Sequence, residues 1–258
     1  MLLSSGCVYR ARPPQERFAT GEPATRASRT PADGFEIVST RETAGFSVEG
    51  RPIEAIVIGD AGASEKVLFV AGIHGDEPAG VSLMEHLALR LQEHPDGLLG
   101  MQVVIIPLAN PDGMSHSQRA NSRGVDLNRN FPALNREEGV AAYGEVALSE
   151  PESRTLLKLI EEHRPSRVIS LHQPLACVDY DGPGALRWAQ AFSGSSDLVV
   201  RKLGTRPGSL GAYAGETLQI PVITVELPGN GALANVDAWA AYGEAILAMI
   251  NPRPAAAE

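Results

Sequence analysis

The chain contains little cysteine, no long apolar run and no excess of basic charge. Cys7 and Cys177 are its two cysteines among 258 residues, so we expect no disulfide framework, and a zinc site built from several cysteines is excluded. The longest apolar stretches, such as residues 67–71, are too short to cross a bilayer. A net charge of -9 argues against nucleic acid as a partner, because phosphate binding needs a basic surface.

The remaining composition suits one large α/β domain. Hydrophobic residues make up 43% of the chain, which is enough for a sizeable core. Short apolar runs typical of strands alternate with segments of helical periodicity. This alternation predicts a single-domain α/β/α sandwich with a mixed, mostly parallel central sheet. The predicted strands cover residues 35–40, 53–58, 67–73, 103–108, 167–171, 198–203 and 222–225. Predicted helices cover residues 77–93, 184–192, 209–218 and 236–250, another begins near residue 149, and a long loop spans 114–149.

The N-terminal stretch differs from the rest. Residues 1–34 lack periodicity and contain four prolines, which predicts a disordered tail ahead of one domain over residues 35–252. Leu3–Cys7 faintly resembles a lipoprotein cleavage box, but a charged start and an apolar stretch of about 7–15 residues are missing. We therefore expect a cytoplasmic protein. The alternative is a periplasmic lipoprotein lipidated at Cys7, with a start site further upstream.

Two histidines and a glutamate stand where predicted strands end. His74 and Glu77 are three residues apart, so both side chains can reach one point at the start of a helix. His172 ends another apolar strand and could supply a third ligand. Taken alone, each residue has a simpler interpretation: Glu77 could complement a helix dipole, and His172 could be a buried structural histidine. Together, two histidines and one glutamate form a known set for a catalytic Zn²⁺, although other divalent ions could enter.

A carboxylate and a group of arginines could complete such a site. Glu226 follows the apolar run 222–225, where a carboxylate is costly unless it is paired or functional. It could pair with a buried arginine, or it could act as a general base. Residues 119–131 include Arg119, Arg123 and Arg129. Arginine can grip a carboxylate through two hydrogen bonds or stabilise an oxyanion, whereas solvated surface charge is the simpler interpretation for Arg123.

These residues stand in longer stretches that resemble the zinc metallocarboxypeptidases of carboxypeptidase A type, and more closely the bacterial murein peptide amidases. The resemblance covers roughly residues 45–250. It is carried by AGIHGDE at 71–77, RAN and GVDLNRNF within 119–131, SLH and PLAC within 170–177, and PGSLG at 207–211 before TVE at 224–226.

The resemblance implies a role for each residue and a substrate. His74, Glu77 and His172 would bind one zinc ion, and Glu226 would be the catalytic carboxylate. Arg119 would stabilise the oxyanion. Asn128 and Arg129 would hold the substrate's terminal carboxylate. The enzyme would cut the bond between γ-D-glutamate and meso-diaminopimelate in a small murein peptide released during cell-wall recycling.

The chain departs from the digestive members of that family in a missing tyrosine and in its short length, which implies that loops shaping a peptide groove are trimmed; both favour a small peptide substrate, and other functions remain open. Digestive carboxypeptidases carry a tyrosine over the substrate, and no clear counterpart is present; Tyr213 stands close to Glu226 in the sequence. The side chain of diaminopimelate would need further contacts, for which His116 and residues 179–181 are candidates. An acyl-amino-acid deacylase of the aspartoacylase or succinylglutamate desuccinylase type is an alternative, and a peptide-binding module without activity is another. The oligomeric state is not predicted.

Overall fold

A computed structural model describes residues 27–29 and 36–250, and these form one sheet with helices on both faces. The strands are β1 (Ala27–Arg29), β2 (Ile37–Phe46), β3 (Pro52–Asp60), β4 (Glu65–Val70), β5 (Met101–Ile106), β6 (Arg167–His172), β7 (Leu175–Asp181), β8 (Val199–Val200) and β9 (Val222–Pro228). The α-helices are α1 (Ala79–Glu93), α2 (Pro111–His116), α3 (Pro151–His163), α4 (Ala185–Ser193), α5 (Asn230–Leu233) and α6 (Ala238–Ala248). Three 3₁₀ turns cover Pro95–Leu98, Leu127–Arg129 and Ala141–Tyr143, and a π-helix covers Gly211–Thr217.

The sheet is mixed, as predicted, with three parallel strand pairs at the centre and a further parallel pair, β7–β8, at one edge of the described sheet. The strand order is β1-β2-β3-β5-β4-β6-β9-β7-β8. Strands β5, β4, β6 and β9 run parallel to their neighbours in this central group. The pairs β2–β3, β3–β5 and β7–β9 are antiparallel. The carboxyl ends of the central strands therefore meet at one edge, where the site residues were expected.

Two apolar cores cover the two faces of the sheet. On β4, Val67 and Phe69 belong to the core that includes α1, α4 and α6, whereas Leu68 and Val70 belong to the core that includes α3. Since both faces of β4 are covered, its run of apolar residues is what a central parallel strand requires. The predicted three-layer α/β/α arrangement is confirmed.

Several elements differ from the predicted ones, and the strand predicted over 198–203 is only the two-residue β8. Strand β7 was not predicted. Helix α1 begins at Ala79 and not at residue 77, and α2 lies at the start of the predicted long loop. The short helix predicted over 209–218 is the π-helix Gly211–Thr217.

The N-terminal stretch is described only in part. Residues 27–29 of the stretch predicted as a tail form β1, which pairs with β2; the rest of 1–34, including Cys7, lies outside the described residues. In the described part of the chain, no helix combines the length and apolarity that a bilayer span requires.

Candidate metal centre and active site

The side chains of His74, Glu77 and His172 converge at the carboxyl end of the central strands. Each offers one ligand atom, and these atoms lie within 4.8 Å of one another. All three residues are buried. His74 and Glu77 come from the loop between β4 and α1, and His172 is the last residue of β6. The neighbouring parallel pairing of β4 and β6 therefore brings together residues almost 100 positions apart.

Glycines shape the loop that carries His74. Gly72 has φ 61°, a left-handed conformation that glycine adopts without steric cost. A Cβ atom on Gly75 would lie 1.9 Å from the carbonyl carbon of Gly113, so the loop can press against α2 only with glycine there. Gly75 N also donates to Arg119 O at 3.4 Å. The sequence Gly-Ile-His-Gly thus fixes His74 beside the segment that carries Arg119.

Hydrogen bonds at the far side of each imidazole determine which nitrogen faces the cluster. His74 Nε2 lies 3.2 Å from Asp126 Oδ1, and His172 Nε2 lies 3.0 Å from Ser170 Oγ. A carboxylate only accepts, so Asp126 places the ring proton of His74 on Nε2; we assign the same tautomer to His172, where the Ser170 hydroxyl can accept. The two Nδ1 atoms are then unprotonated acceptors, yet they lie 3.1 Å apart, and the Glu77 oxygens lie 2.8 Å from one and 3.0 Å from the other.

Four acceptor atoms that face one another repel unless a cation or protons lie between them. The pKa values of His74 and Glu77 reflect this crowding. Burial would lower the pKa of His74, but hydrogen bonds to Asp126 and Glu77 outweigh it and raise that pKa. Burial would raise the pKa of Glu77, but hydrogen bonds to His172 and His74 outweigh it and lower the pKa to about 2. Glu77 is therefore ionised at neutral pH.

This donor set fits zinc. Two imidazole nitrogens and one carboxylate, with a position left open, form a recognised catalytic zinc site. Each imidazole is also held by an oxygen acceptor on its other nitrogen, the usual support of metal-bound histidine. Within residues 36–250, this is the group of histidine, cysteine and acidic side chains that could hold a metal ion.

Glu226 lines the same cavity as the cluster. It belongs to β9, where its Cα is the register partner of His172 on β6 and of Cys177 on β7. Its Oε2 atom is buried and has no hydrogen-bond partner among the described residues. Glu226 forms no ion pair with an arginine in the described part of the chain, so the alternative of a structural partner is not supported. A buried carboxylate oxygen without a donor is costly.

Arg119 lies next to the cluster. Its Nε donates to Asp126 Oδ2 at 3.0 Å, and its Nη1 lies 3.4 Å from Glu77 Oε1. The side chain is 45% exposed, so the guanidinium can still meet a ligand from solvent. By contrast, Arg123 pairs with Glu150 at 3.5 Å and does not line the cavity described below.

Asn128 and Arg129 come from the turn Leu127–Arg129 next to the metal cluster. Asn128 Oδ1 accepts from Leu210 N at 2.9 Å, and Arg129 Nη1 donates to Asn128 O at 2.6 Å. The guanidinium of Arg129 also lies 6.0 Å from the ring centroid of Tyr143. These contacts fix both side chains relative to each other, as a carboxylate-binding pair requires.

All seven predicted site residues line one cavity of about 260 Å³. They are His74, Glu77, Arg119, Asn128, Arg129, His172 and Glu226. Two other candidates do not line it: His116 lies at the end of α2 and contacts Glu49 at 3.1 Å. Tyr213 is buried and stacks on Phe131 with ring centroids 6.1 Å apart, so it does not cover a substrate.

The sequence interpretation missed two residues that support the metal centre. Asp126 binds both His74 and Arg119, and its pKa is lowered: burial would raise it, but the hydrogen bond to His74 and the charges of Arg119 and Arg129 prevail. Ser170 holds the other histidine from two residues away on the same strand. Both lie inside the motifs that carried the resemblance, so their position was visible although their contacts were not.

Comparisons with known proteins agree with this geometry. A family model described as "Zinc carboxypeptidase" matches residues 30–180, a range that contains every predicted site residue except Glu226. Murein peptide amidase A of Escherichia coli (strain K12) is 37% identical over 185 residues, which cover 65% of this chain and 73% of that protein. Murein peptide amidase A of Vibrio campbellii is 34% identical over 215 residues, covering 78% and 83%.

A solved structure shows the same similarity. The crystal structure of murein-tripeptide amidase MpaA from Escherichia coli O157 has a TM-score of 0.64 and 32% sequence identity, covering 83% of this chain and 93% of that chain. These matches do not favour the deacylase alternative. The chain therefore belongs to the zinc carboxypeptidase family, and it is a zinc-dependent peptide hydrolase.

Proposed function

We propose that this protein hydrolyses the bond between γ-D-glutamate and meso-diaminopimelate in the murein tripeptide L-Ala-γ-D-Glu-meso-diaminopimelate. The observation that carries the proposal is the buried, unpartnered Oε2 of Glu226 in the cavity formed with His74, Glu77 and His172. A base next to a metal centre suits amide hydrolysis. The substrate is inferred from the relatives named murein peptide amidase A.

His74 Nδ1, His172 Nδ1 and the Glu77 carboxylate would hold the zinc ion. When bound, zinc supplies a Lewis acid that polarises the scissile carbonyl and acidifies the attacking water. Asp126 and Ser170 keep the two rings in the tautomer that presents Nδ1. The protein's contribution here is to hold three donors in place before the substrate arrives.

Glu226 would move the proton. Its carboxylate accepts a proton from water as the water oxygen bonds to the carbonyl carbon, and it then gives that proton to the amine nitrogen as the carbon–nitrogen bond breaks. The products are L-Ala-D-Glu with a free γ-carboxylate and diaminopimelate with a free amine. Because Oε2 makes no hydrogen bond within the described part of the protein, no contact has to break before it accepts the proton.

Three further side chains would position the substrate. Arg119 is partly exposed next to Glu77, where its guanidinium can stabilise the oxyanion that develops on the carbonyl. Arg129 and Asn128 would hold the α-carboxylate of the terminal residue, a task for which the planar guanidinium is suited. A substrate held at its scissile carbonyl and at its terminal carboxylate would have the scissile bond aligned with Glu226.

We propose a cytoplasmic location, where peptides recovered from the cell wall would be processed. The lipoprotein alternative depends on Cys7, which lies outside the described residues. Fractionation of cells that express the full-length gene, with upstream sequence included, would separate the two locations.

The function is tested by mass spectrometry of the murein tripeptide incubated with purified protein, with and without a chelator. We expect release of free diaminopimelate that the chelator abolishes and added zinc restores. If folded, zinc-loaded protein released none, the substrate assignment would be wrong. Cleavage of N-acetylaspartate or succinylglutamate under the same conditions, with the tripeptide intact, would support the deacylase alternative.

A further inference from the structure

A second group of charges lines the cavity beyond the metal centre. Along β7, Cys177, Asp179 and Asp181 share one face because residues two apart point to the same side of a strand; Val178 and Tyr180 pack into the core on the other face. Asp179 and Asp181 line the cavity and are only 4% and 5% exposed. Since a buried carboxylate is costly without a cation or donors, their partners are informative.

Lys202 forms ion pairs with both carboxylates. Lys202 Nζ contacts Asp181 Oδ1 and the carbonyl of Tyr180, and it lies 3.8 Å from Asp179 Oδ1. Asp179 Oδ1 also accepts from the backbone amides of Tyr180 and Leu203, at 2.8 Å and 2.9 Å. Among residues 36–250, Asp179 Oδ2 has no donor. Asp179 Oδ2 is therefore available to accept from a ligand.

A cation without a partner lines the same cavity. Arg206 is exposed, and its guanidinium forms no hydrogen bond or ion pair in the described part of the chain. The other two arginines of the cavity, Arg119 and Arg129, are both engaged. The backbone of Arg206 is nevertheless held in place, since its carbonyl accepts from Ser209 N at 3.1 Å.

The strand register places the acidic group within reach of the reaction centre. Cys177 is the register partner of Glu226, and Asp179 is the partner of Thr224. Asp179 is two residues along β7 from Cys177, the residue opposite Glu226. This displacement along the strand is about 7 Å. That separation suits the far end of a side chain several carbons long, on a residue whose amide lies at Glu226.

We propose that Asp179 binds the distal ammonium group, and Arg206 the distal carboxylate, of the substrate's terminal diaminopimelate residue. The inference rests on the proposed function and adds the residues that select this side chain. An ammonium would complete Asp179 Oδ2, and a carboxylate would engage Arg206 through charge-assisted hydrogen bonds. A terminal lysine would satisfy Asp179 alone, so the two residues together distinguish diaminopimelate from lysine.

Three peptides separate the two contacts. They share L-Ala-γ-D-Glu and end in meso-diaminopimelate, in lysine, which lacks the distal carboxylate, or in 2-aminopimelate, which lacks the distal amine. The variants are R206Q and D179N. R187Q is the control for R206Q, because Arg187 is exposed on α4, outside this cavity, and its loss changes the net charge by the same amount and sign. D179N keeps Oδ1 as the acceptor of both amides and changes only Oδ2.

In the zinc-loaded parent we expect the diaminopimelate peptide to have the highest kcat/KM. R206Q should lower kcat/KM for that peptide about 10- to 100-fold, the effect of losing a hydrogen bond between charged groups, and should remove its advantage over the lysine peptide. D179N should make kcat/KM for the diaminopimelate peptide no higher than that for the 2-aminopimelate peptide. R187Q should keep the parent's preferences.

Each contrary result has a separate meaning. If R206Q lowered kcat/KM equally for all three peptides, the assignment of Arg206 would be wrong while the proposed function stood. The same holds if R206Q left the ratio of kcat/KM for the diaminopimelate and lysine peptides unchanged. A parent that cleaved the diaminopimelate and lysine peptides equally well would also overturn the subsite. A parent that cleaved none of the three would overturn the proposed function and this inference with it. If D179N failed to fold in a thermal melt, the parent would test the Asp179 contact instead: equal kcat/KM for the diaminopimelate and 2-aminopimelate peptides would overturn it. R206Q tests the Arg206 contact in either case, because that side chain has no hydrogen bond or ion pair in the described part of the chain to lose.

Discussion

Replacing Glu226 with glutamine should separate catalysis from metal binding and from folding. Glutamine has nearly the same shape, and Oε2 of Glu226 has no hydrogen-bond partner among the described residues that the change could break. The proposed zinc ligands are other residues, His74, Glu77 and His172. What the substitution removes is the group that can accept a proton inside the cavity.

The expected magnitudes follow from these contacts. Loss of a positioned general base costs about 100- to 10,000-fold in rate, which corresponds to about 3–5 kcal/mol of activation free energy. The free energy of unfolding should fall by no more than about 1 kcal/mol, and it could rise, because an unpaired buried carboxylate is replaced by a neutral amide. Zinc content should stay at the level of the parent.

The assay combines diaminopimelate release measured by mass spectrometry, zinc content measured by atomic emission, and thermal unfolding, all on the same preparation. Glu162→Gln is the matched control, since Glu162 lies exposed on α3 and its replacement changes the charge equally. Turnover of Glu226→Gln close to that of the control would refute the role of Glu226 as general base. Loss of zinc with unchanged folding would show that Glu226 is instead a ligand.

Two further predictions concern residues that support the site and the fold. Asp126→Asn weakens the acceptor behind His74, so zinc affinity should fall about 10- to 100-fold in a competition titration with a chromophoric chelator; an unchanged affinity would refute this supporting role. Asp112 is buried and accepts from Ser47, Arg51, Ser122 and the amide of Glu49, so Asp112→Asn should lower the free energy of unfolding by about 1–3 kcal/mol at pH 7. Although burial opposes it, these hydrogen bonds lower the pKa of Asp112 below its usual 3.8; its stabilisation is therefore present above that value and is lost as the pH falls through the lowered pKa. Denaturant unfolding at pH 7 and pH 3 should show the difference between parent and variant narrowing at the lower pH, and a constant difference would contradict the assignment.

Much of the fold was predictable because its signals are local. The apolar runs of β4, β5, β6 and β9 and the periodicity of α1 could be read directly, and parallel strands of this kind place their carboxyl ends together. The predicted site residues follow from the same rule, since His74 and His172 stand at strand ends. Their presence in one cavity is what the motifs predicted as a set.

The missed features depend on contacts between distant segments. Strand β7 has the alternation of a strand, but Asp179 and Asp181 occupy the positions that face the cavity, so no continuous apolar run marks it and it was not predicted. Only the pairing with β9 shows that these aspartates face a cavity. The roles of Asp126 and Ser170 were hidden for a similar reason, because the hydrogen bond of each depends on where a histidine ring lies.

The pairing of His172 with Glu226 across β6 and β9 has a consequence for how this enzyme can change. The spacing between a proposed metal ligand and the proposed base is a property of the sheet. Slipping β9 by one residue would turn Glu226 to the opposite face, into the apolar core that contains Ile223 and Val225. Arg206 and Asn128, by contrast, lie outside the strands. The turn that carries Asn128 also carries Asp126, which supports His74, whereas the connection that carries Arg206 holds none of the reacting groups. Substitutions around Arg206 can therefore alter which peptide is accepted on an unchanged sheet.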